Sequence, residues 1–291
     1  MIPAALCLNS KKRRENGFMT VDELSRIANR LRLDVVETVH LAGDGHPGPC
    51  MSIADIMAVL FFEEMKLDPA NPRWPERDRF ILSKGHACPI LYAALARKGF
   101  FPYEELKGLR SLGSFLQGHP DMNKIPGVDT VSGSLGNGIA IGTGMALGCR
   151  MQGIKDNFVY VIVGDGEEEE GIIWEAAMAA AKYQLGNLIV FADLNNHQSG
   201  GHVTDLSSLY PVPDKWEAFH WHVQSIDGHD IGAIRHAIAE AKKVTDKPSV
   251  ICCKTVKGKN IPYMEDNNAW HKRTPTAEEV EIAREALRDR I

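Results

Sequence analysis

No stretch of this chain is both long and apolar enough to cross a bilayer, which takes about 20 such residues. Leu135–Cys149 comes nearest, and it is glycine-rich and too short. Met1–Asn9 is mildly apolar, but no basic segment precedes it, so it does not read as a secretory signal. Neither charge is in large surplus: 33 Lys and Arg stand against 38 Asp and Glu, a formal net charge of −5. That balance gives no reason to expect a nucleic-acid partner. The basic run Lys11–Arg14 is too short to alter this and reads as a solvated N-terminal arm. The 6 cysteines contain no C-x-x-C pair, and Cys252 and Cys253 lie in S-V-I-C-C-K-T, an apolar run that reads as a buried strand. The expectation is reduced core thiols in a cytoplasmic protein. The turn at 164–171, G-D-G-E-E-E-E-G, lacks the third glycine of the G-x-G-x-x-G that opens a nicotinamide-dinucleotide helix. His46, His86, His119 and His271 contain no H-x₃-H pair of the common zinc type.

What is present is ordinary in bulk and specific in detail. At 291 residues, 44% apolar and 24% charged, the chain has the makeup of a globular protein. Thr20, followed three positions later by Glu23, is a capping box for a helix whose apolar positions Ile27, Leu31, Val35 and Val39 recur at helical spacing, ending at Gly43. Ser52–Met65 reads as one buried helix. Short β-branched runs at Arg79–Ser83, Val159–Gly164, Asn187–Asp193, His220–Ile226 and Ser249–Thr255 alternate with helical stretches at Ala87–Lys98, Asn137–Met151, Gly171–Tyr183, Asp230–Val244 and Thr276–Arg288. Strands and helices in this alternation predict an α/β domain, a parallel sheet with helices on both faces. With no linker or repeat, residues 20–291 read as one domain behind an arm at 1–19. The stripe Gly138, Gly142 and Gly148 in Asn137–Met151 suits close packing, either within the domain or at an interface between subunits.

Val159–Gly171, V-Y-V-I-V-G-D-G-E-E-E-E-G, organises the rest. The strand stops at Asp165 between Gly164 and Gly166. A second strand stops at D-L-N-N-H-Q, which offers Asn195. If these strands are parallel neighbours, both side chains meet at the carboxyl edge of the sheet, where open α/β sheets bind ligands. A carboxylate, an amide oxygen and a backbone carbonyl near His197 suit Mg²⁺, which takes about six oxygens and prefers phosphate and water to many protein ligands. Ca²⁺ and Mn²⁺ accept similar donors. Gly164 and Gly166 leave room for phosphates. Glu167–Glu170 would repel a bare diphosphate, and a cation reverses that argument. His46, His86 and His119 each follow a glycine at a predicted turn, and His271 sits in A-W-H-K-R. Imidazoles so placed suit proton transfer near neutral pH.

G-H-P-G, S-K-G-H-A, the second G-H-P, G-S-L-G-N-G, G-D-G-E-E-E-E-G, D-L-N-N-H-Q and the K-G-K-N-I-P-Y-M-E…W-H segment together resemble the N-terminal, diphosphate-binding domain of the transketolase family, over nearly all of 20–275. The resemblance implies the thiamine-diphosphate-binding fold, with thiamine diphosphate and Mg²⁺. It implies metal ligation by Asp165, Asn195 and the His197 carbonyl, with Gly166 against the diphosphate. Gly133 and Leu135 would meet the aminopyrimidine. His46, His86, His119 and His271 would surround the reacting carbon and bind the ketose hydroxyls. Glu170 and Glu175 would join a buried acidic cluster between two cofactor sites. The family's remaining domains carry the activating glutamate and the arginines that hold a sugar phosphate, and this chain matches only the first. The implied protein is the N-terminal subunit of a split transketolase. It would work with a C-terminal subunit bearing the pyrimidine-binding and C-terminal domains, as an α₂β₂ assembly. Other thiamine enzymes, the α subunit of a 2-oxo acid dehydrogenase or a deoxyxylulose-phosphate synthase, share the G-D-G…N-N pair. A non-catalytic cofactor-binding subunit is the remaining alternative, and the retained histidines speak against it.

Overall fold

The computed structural model describes residues 18–207 and 209–291. Most of the N-terminal arm, with Lys11–Arg14 and Cys7, lies outside the described residues. The strands in chain order are β1 (Arg79–Leu82), β2 (Val159–Gly164), β3 (Leu188–Leu194), β4 (His197–Gln198), β5 (Gly201–His202), β6 (His222–Asp227) and β7 (Ser249–Lys254). The α-helices are α1 (Val21–Ala42), α2 (Gly48–Met51), α3 (Ala54–Val59), α4 (Cys88–Lys98), α5 (Asn137–Met151), α6 (Gly171–Lys182), α7 (Val203–Leu206), α8 (Val212–Ala218), α9 (Ile231–Ala241) and α10 (Ala277–Leu287).

Five strands pair in the order β1-β2-β3-β7-β6, every pair parallel. Side chains of a strand alternate between faces, and the two cores follow that alternation. Tyr160, Ile162, Ile189 and Phe191 face a large core with the helices α1, α3, α4, α9 and α10. Val159, Val161, Val163, Leu188, Val190 and Ala192 face a second core with α5, α6 and α8. Both faces of β2 are buried, which explains why its sequence is continuously apolar rather than alternating. β2 and β3 are neighbours, with Gly164 opposite Asp193. The turns after them therefore open side by side at the carboxyl edge.

Local chemistry accounts for most boundaries. Capping boxes at Thr20/Glu23 and Thr276/Glu279 start α1 and α10, and Gly43 ends α1 in the left-handed conformation at φ 69°. The Ser52–Met65 expectation needs correction. That stretch holds the break at Ile53, then α3, then a π turn at Leu60–Glu64. Ser52 turns its hydroxyl to Asp193, 2.7 Å away across the sheet edge. The π turn sets Glu63 against Arg235 and Glu64 against Lys242, both at the α9 side. Tertiary partners override the helical periodicity here. The antiparallel pair β4–β5, His197 against His202, is too short to carry a strand pattern in sequence. Cys50, Cys88, Cys149, Cys252 and Cys253 are free and buried. No helix among the described residues is long and apolar enough to cross a membrane.

Candidate active site

One cavity of about 310 Å³ at the carboxyl edge is lined by His46, His86, His119 and His271, by Gly133 and Leu135, by Gly164, Asp165 and Gly166, and by Asn195 and His197. Residues scattered over most of the sequence thus converge on one site. Each arrives on a turn at that edge: His46 between α1 and α2, His86 between β1 and α4, Asp165 after β2, Asn195 after β3, and His271 beyond β7.

The half of the site at the Asp165 and Asn195 turns is built around two buried carboxylates, Asp165 and Asp193. Asp165 Oδ1 accepts from Gly166 N at 2.9 Å, and its Oδ2 accepts from Tyr210 Oη at 3.2 Å and from Asn196 N. Burial and the nearby Asp193 charge push Asp165 up to about 7. It is a carboxylate short of positive charge, the deficit a cation would fill. Asn195 donates Nδ2 to Asp193 Oδ2 at 2.9 Å, and its Oδ1 accepts from His197 N at 3.0 Å. That fixes which end of the amide is oxygen. The donor set of carboxylate, amide oxygen and carbonyl suits a hard cation with phosphate. Among the described residues there is no cluster of three or more His, Cys, Asp or Glu able to hold a metal ion.

The histidine half is close-set. The ring centroids of His46 and His86 are 5.1 Å apart, those of His46 and His271 5.7 Å, and those of His86 and His271 5.3 Å. Burial is the first cause that depresses each: His46 to about 4, His86 to about 2 and His271 to about 3. His119 is lowered too, by burial and then by Arg110. The rings are therefore neutral at pH 7. His46 Nδ1 is buried and has no hydrogen-bond partner, an atom left for a ligand. His271 Nδ1 accepts from Lys257 Nζ at 2.8 Å. An ammonium only donates, so the His271 hydrogen sits on Nε2.

Sequence reasoning missed the residues that hold these turns together. Asp193, fully buried, accepts from Lys84 Nζ, Ser52 Oγ, Thr255 Oγ1 and Asn195 Nδ2. Glu167 binds Ser83 Oγ, Gly136 N at 2.7 Å and Gly164 N at 3.1 Å, tying the end of β1, the G-S-L-G-N-G turn and the G-D-G turn into one unit. In the sequence, Lys84 and Lys257 show only as charged letters inside S-K-G-H-A and K-G-K. Gly166 has its own reason to be glycine: a Cβ there would stand 2.7 Å from Gln198 Cβ. A Cβ on Gly133 would lie 3.3 Å from the His119 ring.

The four glutamates after Gly166 do not act alike, and the expected four-charge repulsion needs revision. Glu167 points into the hydrogen-bond cluster just described. Glu168 is fully buried, accepts from Trp216 Nε1 at 2.7 Å, and burial pushes its carboxyl well above the ordinary value. Glu169 and Glu170 are exposed, and Gln198 Nε2 donates to Glu169 at 2.9 Å. The run does not confront a diphosphate with four charges. Glu170 caps α6 and Glu175 lies on its exposed side; neither lines the cavity.

A family profile described as "Transketolase, thiamine diphosphate binding domain" matches residues 24–288. The chain belongs to the transketolase family. It is 46% identical over 256 residues to the 6-deoxy-6-sulfo-D-fructose transketolase subunit SqwG of Clostridium sp. strain MSTE9, covering 88% of this chain and 93% of that one. It is 37% identical to an apulose-4-phosphate transketolase subunit of Phocaeicola vulgatus, covering 94% and 96%. A solved transketolase variant from Pichia stipitis superposes with a TM-score of 0.86 at 34% identity, covering 92% of this chain and 40% of that one. The transketolase fold is thus shared with a longer protein, while the two subunits match nearly end to end.

Proposed function

We propose that this chain is the N-terminal subunit of a thiamine diphosphate-dependent transketolase, moving a two-carbon ketol unit from a ketose with a charged end to an aldose. The observation that carries this is the single cavity in which the Asp165–Asn195 cation turns face four neutral histidines. Bound thiamine diphosphate supplies carbanion stabilisation, the chemistry the protein itself lacks. Asp165, Asn195 and the His197 carbonyl would hold Mg²⁺, for which Ca²⁺ or Mn²⁺ could substitute, to anchor the cofactor. Each neutral imidazole offers one N–H and one lone pair. His46, His86, His119 and His271 use them to orient the sugar hydroxyls and to pass protons.

The cavity is open on one side. An open depression of about 750 Å³, lined by Val131, Ser132, Ser134, Asn137, Ala140 and Ile141, continues from it through His119 and Gly133. Val131 is half exposed there. We assign this depression to a C-terminal subunit carrying the pyrimidine-binding domain and the activating acid. Its continuity with the cavity and the nearly full-length match to proteins named as subunits support the assignment. In the α₂β₂ assembly, Glu170 at the N-cap of α6 and Glu175 on that helix lie between paired sites, and the enzyme works in the cytoplasm.

The test separates anchoring from turnover. In the reconstituted assembly, Asp165→Ala abolishes Mg²⁺-dependent cofactor binding, measured by calorimetry. His119→Ala keeps binding within about twofold and lowers kcat by about 10²-fold, the scale of a lost acid–base group. Equal loss of cofactor binding in both variants would contradict the roles given.

A further inference from the structure

The turns that bring His46, His119 and His271 to the cavity also carry charges that neither the Asp165–Asn195 turns nor the histidine rings need. Asp44 stands two positions before His46. Its Oδ2 accepts from Arg110 Nη1 at 2.9 Å, and its Oδ1 lies 3.6 Å from Lys272 Nζ. Lys272 directly follows His271. The Arg110 guanidinium packs on Gly118, where a Cβ would stand 2.6 Å from Arg110 Cζ, and Gly118 directly precedes His119. The three charged side chains therefore bridge the turns that carry His46, His119 and His271. All three stay wet: Arg110 is 25% exposed, Asp44 44% and Lys272 58%. Two cations share one carboxylate, so this rim is positive on a chain whose net charge is −5. Arg110 holds a φ of 59°, a conformation costly for a residue with a Cβ and kept where the surroundings impose it. The positive field reaches inward, since Arg110 helps depress both His46 and His119.

We propose that Arg110 and Lys272, beside the arginines expected on the partner subunit, take part in receiving the charged end of the sugar, a phosphate ester or a sulfonate, so that part of the substrate selectivity resides on this subunit. The inference deepens the transketolase reading and rests on it. A guanidinium fork and an ammonium suit the oxygens of either group. Asp44 competes with that anion for the same two cations. Because the rim is partly exposed, its attraction acts on encounter and binding and weakens with salt.

The test uses the reconstituted holoenzyme with three ketose donors: one phosphorylated, one sulfonated and one neutral. Lys272→Glu, at an exposed position, lowers the ratio of kcat/KM for charged over neutral donors by about tenfold, through KM, and the loss shrinks at high salt. Asp44→Asn moves the same ratio the opposite way. A loss confined to one charged donor supports the site and names its oxyanion. An unchanged ratio in Lys272→Glu, or an equal fall with the neutral donor, overturns it. No transfer from any donor by the unsubstituted holoenzyme overturns the transketolase reading, and this inference with it.

Discussion

At the residue scale, the roles proposed for the histidines require imidazoles that are neutral and correctly tautomeric. His46, His86 and His271 are all depressed below the ordinary histidine value of about 6.5. The unfolded chain therefore binds more protons than the folded one from about pH 6.5 downward, so stability is full above that range and is lost as pH falls toward about 4. Urea midpoints should hold from pH 7.5 to about 6.5 and fall from there to pH 5, and His86→Asn should flatten the dependence; a midpoint independent of pH would contradict it. Lys257, nearly fully buried and itself lowered to about 8 by burial and the Lys84 charge, positions the His271 lone pair. Lys257→Met should lower kcat while leaving cofactor affinity within about twofold, and should move the acidic limb of the pH–rate profile, since the His271 proton loses its fixed place. A normal profile in that variant would reduce Lys257 to a packing role.

At the element scale, α5 shows two faces with different reasons for small residues. A Cβ at Gly138 would stand 2.4 Å from Ser83 Oγ, and one at Gly142 would stand 2.7 Å from Val161 Cγ2. Gly144 and Gly148 would meet nothing within 4 Å. Gly142→Ala should destabilise the chain, whereas Gly144→Ala should stabilise it by about 0.5–1 kcal/mol from helix propensity alone, both read from denaturant midpoints. Stripe spacing in the sequence could not divide these roles, because both faces repeat at helical intervals. What was legible follows the same logic. Capping boxes, the run of β2 and the helix over Asn137–Met151 are local signals, and each element appears where its own residues place it. The break at Ile53 and the π turn after Val59 answer to Asp193, Arg235 and Lys242, which are remote in sequence. Asp165, Asn195 and the histidines could be read because most of them end a recognisable strand or follow a glycine. Glu167, Asp193 and Lys84 could not, because a buried bridging charge looks in sequence like any solvated one.

At the scale of the whole molecule, a parallel sheet places two turns side by side, and chain segments from both ends of the sequence complete one cavity around them. That cavity opens toward the depression at Val131 and Ile141. We hold that the missing side belongs to another polypeptide, and on this the proposed function stands. The direct measurement is two-carbon transfer by this chain purified by itself, by the pyrimidine-binding partner by itself, and by their mixture, each with thiamine diphosphate and Mg²⁺. Turnover is predicted in the mixture only, rising to saturation at equimolar proportions. Full turnover by this chain without its partner, or none in a mixture shown to associate, would contradict it.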